Sequence, residues 1–429
     1  MYWDKEIETM PRDQLEELQL KRLKETLEQA SKAPFYKKLG LEDYEVKTLD
    51  DIEKLPFTTK EDLREAYPYG MVSVDRQNLV RLHSSSGTTG TPTVVFHTIK
   101  DIDSWAELVA RCLYMVGVRK GDVFQNMIGY GLFTGGLGLH YGAERVGCLT
   151  IPSGPGNTKR QLKFLKDFDV NVVHVIPSYA LYLADAAENM GIEPSKDLPN
   201  FRIALIGAEP HSEETRKKIE DFFSIDAYNS YGLSEMNGPG VAFECSEKTG
   251  MHIWEDAYLV EIVDPHTLSH VKPGETGELV LTTLTREGMP VIRYRTKDLT
   301  SIISSTCACG RTHRRITRIS GRSDDMLIVK GVNIFPVQVE AVLLGTPGVR
   351  RNYQIILESR GHNDHMVVRV ELDPGMFAGD MKGLENLKKK LTRDLRDELL
   401  ITPEIELCEP GSLPVSEGKA VRVIDKREE

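Results

Sequence analysis

Between Asp122 and Tyr228, short apolar runs (Val123 to Ile128, Val170 to Ile176, Ile203 to Ile206) alternate with helical stretches such as Lys159 to Phe168 and Glu213 to Phe223. Short apolar runs of strand length suit strands covered on both faces, and the helices between them suit crossovers joining parallel neighbours. Ligands of such sheets bind beyond the carboxyl ends of the strands, so chemistry is sought in the loops that follow them. Upstream, Leu15, Leu18, Leu23 and Leu27 recur among charges from Pro11 to about Lys32, predicting an amphipathic helix on the outside of the main body. A second helix is predicted by the stripe Ile99, Ile102, Trp105, Leu108, Val109, Cys112, Leu113 and Val116.

After Asp256 the pattern turns strand-rich, with Tyr258 to Val263, Glu278 to Leu284 and Val291 to Tyr294 separated by turns at Pro273-Gly274 and Glu287-Gly288. From about Asp324, strands near Met326 to Val329, Gln354 to Leu357 and Met366 to Leu372 and a charged helix near Leu384 to Leu399 are enough for a separate small domain. The expected fold class is α/β. A large N-terminal domain, residues 1–323, holds parallel sheets wrapped by helices plus a strand-rich subregion, and residues 324–429 form a small mobile α+β C-terminal domain.

Composition narrows the function classes. The 429 residues are 40% hydrophobic, enough for a sizeable core. No apolar run approaches the ~18 residues a membrane span needs, and Met1-Tyr-Trp-Asp-Lys-Glu lacks a signal-peptide pattern, so no membrane partner and a cytoplasmic location are expected. The net charge of -11 argues against nucleic acid, and any anionic ligand must be held by local groups. The sequence allows a homodimer without requiring one. The six cysteines read as reduced thiols or metal ligands rather than disulfides, with Cys112 and Cys148 in apolar, core-like contexts.

Strand-like Leu79 to Leu82 runs into Ser84-Ser85-Ser86-Gly87-Thr88-Thr89-Gly90-Thr91-Pro92. Glycines let backbone N–H groups approach a ligand, and the hydroxyls donate further hydrogen bonds, which suits a polyphosphate. No Gly-Lys-Ser/Thr follows, so the loop is not a Walker A motif. Preceding a predicted helix, it reads as a strand-to-helix turn. The loop resembles the phosphate loop of the acyl-CoA synthetase and peptide-synthetase adenylation superfamily, and with Thr93-Val94-Val95 most resembles the phenylacetate-CoA ligase branch. Many superfamily members carry Lys where Thr93 stands here, so any phosphate contact from that lysine must be absent or supplied elsewhere.

Four further motifs follow in the superfamily order. Tyr231-Gly232-Leu233-Ser234-Glu235 resembles the stretch whose aromatic ring stacks on adenine, whose hydroxyl contacts phosphate and whose glutamate binds Mg²⁺, a metal that takes few protein carboxylates beside phosphate oxygens. Arg293-Tyr-Arg-Thr-Lys-Asp298 is similar to the motif whose aspartate accepts both ribose hydroxyls of ATP. Gly321-Arg322-Ser323-Asp324 to Gly331 resembles the hinge motif, which implies that Arg322 approaches the nucleotide, Asp324 is the pivot and Gly331 lines the thiol tunnel. Leu413-Pro-Val-Ser-Glu-Gly-Lys419 resembles the segment carrying the adenylation lysine, a flexible cation suited to bridging carboxylate and α-phosphate.

Gly129 to Gly138 is glycine-rich with two aromatics, and the resemblance implies that it lines an aryl pocket containing Tyr130 and Phe133. Gly207, Ala208 and Glu209 form another wall, on the nucleotide side, with Ala208 also facing the acyl group. Cys307-Ala-Cys309 with Cys245 and His252 would make a tetrahedral Cys₃His zinc site, with His313 in reserve; the alternative is a tight turn with free thiols. The expected reaction uses ATP, Mg²⁺ and coenzyme A to turn an aromatic, arylacetic-type acid into acyl-AMP and then acyl-CoA. Three alternatives stand beside it: a carrier-protein thiol as acceptor, nucleotidyl transfer to a cofactor, or a regulator that binds nucleotide without catalysis.

Overall fold

In a computed structural model, described for residues 1–85, 91–324, 326–330, 332–360, 363–377, 381–414 and 421–427, the alternating region forms the middle of a nine-stranded sheet. Its strand order is Ile302–Ile303, Arg315–Ile316, Met251–Ile253, Gly238–Glu244, Asp226–Leu233, Ile203–Gly207, Val172–Val175, Val123–Asn126 and Leu149–Ile151. The last five run parallel, and the pairing turns antiparallel where Asp226–Leu233 meets Gly238–Glu244. Every residue of Val172–Val175, His174 included, and of Ile203–Gly207 is buried, as expected of strands with helices on both faces. The strand order reverses at Val123–Asn126, which has Leu149–Ile151 on one side and Val172–Val175 on the other, and such a switch point opens a crevice at the carboxyl ends.

The predicted helices form at Arg12–Ala30, Ile99–Met115, Thr158–Asp167 and Glu213–Phe223. Thr98 caps Ile99–Met115 with Asp101 closing the capping box, and Ser212 caps Glu213–Phe223 through the Thr215 amide. No described helix is long and apolar enough to cross a membrane. The strand-rich region is a four-stranded sheet of Tyr258–Val263, Gly277–Thr283, Tyr294–Thr300 and Gly321–Arg322.

Two sequence expectations are corrected. The strand predicted from Val291 begins only at Tyr294, because Arg293 takes a left-handed φ of 44° that breaks the extended run. The hydroxyl-rich loop does not lead from strand to helix. Arg81–Ser84 pairs antiparallel with Val94–His97, and this second strand stands between the loop and the helix.

Beyond residue 326, a hairpin of Val349–Arg360 and Asn363–Leu372 is flanked by parallel edge strands Val423–Asp425 and Glu404–Cys408. Helices Pro336–Leu344 and Met381–Leu399 accompany it, the second burying Leu387, Leu391, Leu395 and Leu399 at four-residue steps. These elements share an apolar core drawn from residues 327 to 423 alone, apart from the two cores of the larger unit.

Candidate active site

The carboxyl ends of the parallel strands gather most of the sequence-predicted residues. Val123–Asn126 leads into the glycine-rich stretch, Val172–Val175 into Ser178, Ile203–Gly207 into Ala208 and Glu209, and Asp226–Leu233 into Ser234 and Glu235. Gly207 is held against the next strand so closely that a Cβ would collide with the Ser230 carbonyl, and Ala208 then takes a left-handed φ of 69°, turning the wall sharply out of the sheet. Glu209 accepts a hydrogen bond from the Ser178 amide (2.6 Å), joining two of these loops.

Ser234 and Glu235 sit in a single 3₁₀ turn, both buried. Three bonds hold the turn: Thr134 Oγ1 to Ser234 Oγ (3.1 Å), Arg286 Nη1 to the Glu235 carbonyl (2.6 Å) and the Tyr258 hydroxyl to the Met236 carbonyl (2.9 Å). A carboxylate such as Glu235 is a hard oxygen donor, the type Mg²⁺ takes. Tyr294 stands beside it, its hydroxyl pushed well up first by burial and then by the Glu235 charge.

Asp298 is the electrostatic centre. Its Oδ2 accepts the Tyr231 hydroxyl proton at 2.6 Å and its Oδ1 lies 3.2 Å from Arg322 Nη1. Arg322 also grips Asp324 with two bonds of 2.8 Å, so one guanidinium joins Asp298 to the predicted pivot. Burial pushes the Asp298 carboxyl up to about 6; Tyr231 and Arg322 pull it down, while Asp324 and Glu235 add to the rise.

Ser84 ends its strand with its amide on the Leu132 carbonyl (2.9 Å), bringing the start of the hydroxyl-rich loop to the glycine-rich stretch. The Ser85 amide bonds the Thr93 carbonyl (3.1 Å) and their hydroxyls also pair, so buried Thr93 closes the neck of the loop where relatives of the motif carry lysine. Ser86, Gly87, Thr88, Thr89, Gly90, Gly331 and Lys419 lie outside the described residues. In the glycine-rich stretch, the half-buried Tyr130 pairs its hydroxyl with His140 Nδ1 (3.2 Å), and His140 reaches Glu144. Phe133 is 41% exposed, so its ring does not sit in a closed pocket in this arrangement.

A cavity of about 500 Å³ separates the two units, lined by Ser178, Glu209, His211, Asp324, Glu340 and Arg422 among others. Among the described residues, His211 Nε2 and Ser178 Oγ have no hydrogen-bond partner. Burial pushes His211 down to about 3, so its imidazole is neutral at physiological pH. A larger cavity, about 860 Å³, lies beside Cys307, Arg311 and Glu255 and contains none of the nucleotide-motif residues.

The description AMP-binding enzyme matches residues 12–284, and AMP-binding enzyme C-terminal domain matches residues 331–427. The phenylacetate-coenzyme A ligase of Aromatoleum evansii is 45% identical, over 98% of this chain and 96% of its own length. This chain belongs to the AMP-binding enzyme family, in its phenylacetate-coenzyme A ligase branch. A 2-hydroxyisobutyryl-CoA ligase in its postadenylation state, with an acyl-AMP bound, superposes with TM-score 0.93 at 28% identity, covering 100% of this chain and 93% of that one. The same ligase in its thioesterification state, with 2-HIB-AMP and CoA, gives TM-score 0.72 at 29% identity and the same coverage. The present chain therefore superposes better on that ligase's postadenylation structure than on its thioesterification structure.

At the rim of the sheet Cys245, His252, Cys307 and Cys309 bring their donor atoms within 4.8 Å of one another. Cys245 and Cys307 sulfurs are 3.6 Å apart and Cys309 Sγ is 3.2 Å from His252 Nε2. A tetrahedron with bonds of ~2.3 Å has edges of about 3.8 Å, so the four donors fit one zinc ion. Cys309 is held low and Cys245 pushed up, chiefly by their mutual hydrogen bond. His252 Nδ1 lies on the His313 carbonyl at 2.9 Å, which turns Nε2 inward. His313, the reserve ligand, is excluded: its Nδ1 accepts from the Glu255 amide and its Nε2 faces the Ile7 carbonyl, both at 3.0 Å.

Sequence reasoning missed Arg286, His211 and the clasp of the N-terminus around the cysteine turn. There the Tyr2 hydroxyl bonds the Cys309 carbonyl (2.9 Å), and buried Arg311 joins Glu8 (2.7 Å) and the Met1 carbonyl (2.7 Å). Cys112 is fully buried, but Cys148 is only half-buried at the edge of the core.

Proposed function

We propose that the chain activates an arylacetic-type carboxylic acid with ATP, forming acyl-AMP and pyrophosphate, and then transfers the acyl group to coenzyme A. The reading is carried by the arrangement of Tyr231, Asp298 and Arg322 beside buried Glu235 at the carboxyl end of the sheet, with the second unit meeting the larger one at a cavity lined by Glu209 and Asp324. It is supported by the full-length similarity to a phenylacetate-coenzyme A ligase.

In the first half-reaction an oxygen of the acid attacks the α-phosphorus, that P–O bond forms, and the bond to the β-phosphate oxygen breaks to release pyrophosphate. Asp298 takes the ribose hydroxyls, Tyr231 stacks on adenine beside Gly232 and the 207–209 wall, and Ser84 to Gly90 cradle the phosphates. Glu235 would hold Mg²⁺, which neutralises charge on the leaving pyrophosphate. Lys419 stabilises the charge that shifts toward the α-phosphate in the transition state. Residues 324–429 act as a mobile unit turning about Asp324. Rotation removes Lys419 and opens the path past Gly331, along which the thiol attacks the acyl carbon and AMP leaves. Tyr130 and Phe133 contribute to the aryl site as this closes. The Cys₃His cluster holds a structural zinc that braces the sheet rim and the N-terminal segment, and the protein is cytoplasmic.

The test is acid-dependent exchange of labelled pyrophosphate into ATP across aryl, arylacetic and short aliphatic acids, followed by addition of coenzyme A. Exchange led by arylacetic acids, with thioester formed only when coenzyme A is present, supports the reading; exchange that ignores the acid contradicts it.

A further inference from the structure

The second unit grips the larger one through side chains outside the nucleotide motifs. Glu340, on the helix Pro336–Leu344, places Oε1 on the Ser212 amide (3.0 Å) and on the Thr215 hydroxyl, while Oε2 accepts from the Tyr353 hydroxyl at 2.9 Å within its own unit. Ser212 is the N-cap of Glu213–Phe223, where unpaired amides and the helix dipole favour a carboxylate. Leu344, at the end of the Glu340 helix, packs into a core of the larger unit with Ile219 and Phe223. A second contact is made by Arg351, which bonds Asp185 (2.7 Å) and the Leu181 carbonyl (3.0 Å) on the helix that starts at Pro177. Both anchoring points belong to elements that begin at walls of the 500 Å³ cavity, Ser178 on one side and Glu209 to His211 on the other.

The geometry points to Glu340 as a positioning residue for the adenylation half-reaction alone: its carboxylate latches the small unit to the Ser212 cap in the arrangement that superposes on an acyl-AMP-bound ligase at TM-score 0.93, and it must leave that cap before thioester formation. The inference rests on the two-step reading above and adds the contact that sets the balance between its steps. Glu340 touches no residue assigned to ATP, acid or coenzyme A, so its effect runs through the position of the unit. Thr215 is its partner on the other side, and the two should act as one device.

The experiment measures both half-reactions for the full chain and for Glu340→Gln, Thr215→Val and the double variant. Pyrophosphate exchange reads the first half-reaction, and coenzyme A thioester formed from supplied acyl-AMP reads the second. Exchange is expected to fall by about tenfold in Glu340→Gln, the scale of one charge-assisted hydrogen bond, with thioester formation from acyl-AMP kept or raised. The double variant should be no slower in exchange than the slower single variant. Equal loss of both half-reactions, or unchanged exchange in Glu340→Gln, overturns the latch while leaving the ligase reading intact. A wild-type chain that performs neither half-reaction overturns the ligase reading, and the latch with it.

Discussion

Tyr231 and Asp298 meet hydroxyl to carboxylate at 2.6 Å, on a strand of the central sheet and a strand of the neighbouring one. The pair links the two elements expected to hold adenine and ribose. It also leaves a carboxyl poised at about 6, because burial outweighs Tyr231 and the Arg322 charge. An aspartate that accepts ribose hydroxyls must be ionised, so kcat/KM for ATP should fall as pH drops through 6, and Asp298→Asn should remove that inflection. Arg322→Ala and Tyr231→Phe each take away an influence that lowers the carboxyl, so each should move the inflection to higher pH. A profile flat between pH 5 and pH 8, the range in which an inflection near 6 must show, would count against this role for Asp298.

Gly207→Ala tests the wall. The added Cβ would run into the Ser230 carbonyl, backbone that cannot swing aside. The expected cost is about 1–3 kcal/mol in chemical denaturation, together with weakened nucleotide binding, since Ala208 and Glu209 are aimed by that close approach. Wild-type stability and ATP affinity in the variant would refute the role of this contact.

The metal site predicts about one zinc per purified chain. Cys309→Ser should lose the metal and lower the Tm by about 5 °C or more. It should also expose the N-terminal segment to proteolysis, because the Tyr2 hydroxyl is anchored on the carbonyl of that residue. Metal-free wild-type protein that is equally stable would exclude a structural zinc.

Lys419→Ala tests the residue expected to act on the reacting phosphate itself. Acid-dependent pyrophosphate exchange should drop by roughly 10²–10³-fold, the scale for removing a group that stabilises transition-state charge. Thioester formation from supplied acyl-AMP should persist. Parallel loss of both would deny the lysine a part in adenylation only.

The central sheet was legible because Ile203 to Ile206 is apolar at every position and Val172 to Val175 is interrupted only by His174, a pattern set by burial on both faces. The Cys-x-Cys turn of the candidate metal cluster was legible as residue types, but which histidine joins it was decided by strand register: Met251–Ile253 pairs with Gly238–Glu244 and Arg315–Ile316, and points His252 inward. The strand expected at Val291 failed because a left-handed residue is invisible in an apolar count. The pairing of the strands flanking the hydroxyl-rich loop escaped notice because Val94–His97 is only four residues long and merges with the helix signal after it. Glu340 and Arg286 were missed for a common reason: each acts on backbone groups far away in sequence, and no local spacing records such a bond.

The central claim is that the acid's own oxygen joins the α-phosphate. With phenylacetate labelled by ¹⁸O in both carboxylate oxygens, ATP and coenzyme A, mass spectrometry of the products should find one labelled oxygen in AMP and the other in the thioester, with unlabelled pyrophosphate. Unlabelled AMP, or ADP with label in phosphate, would contradict it.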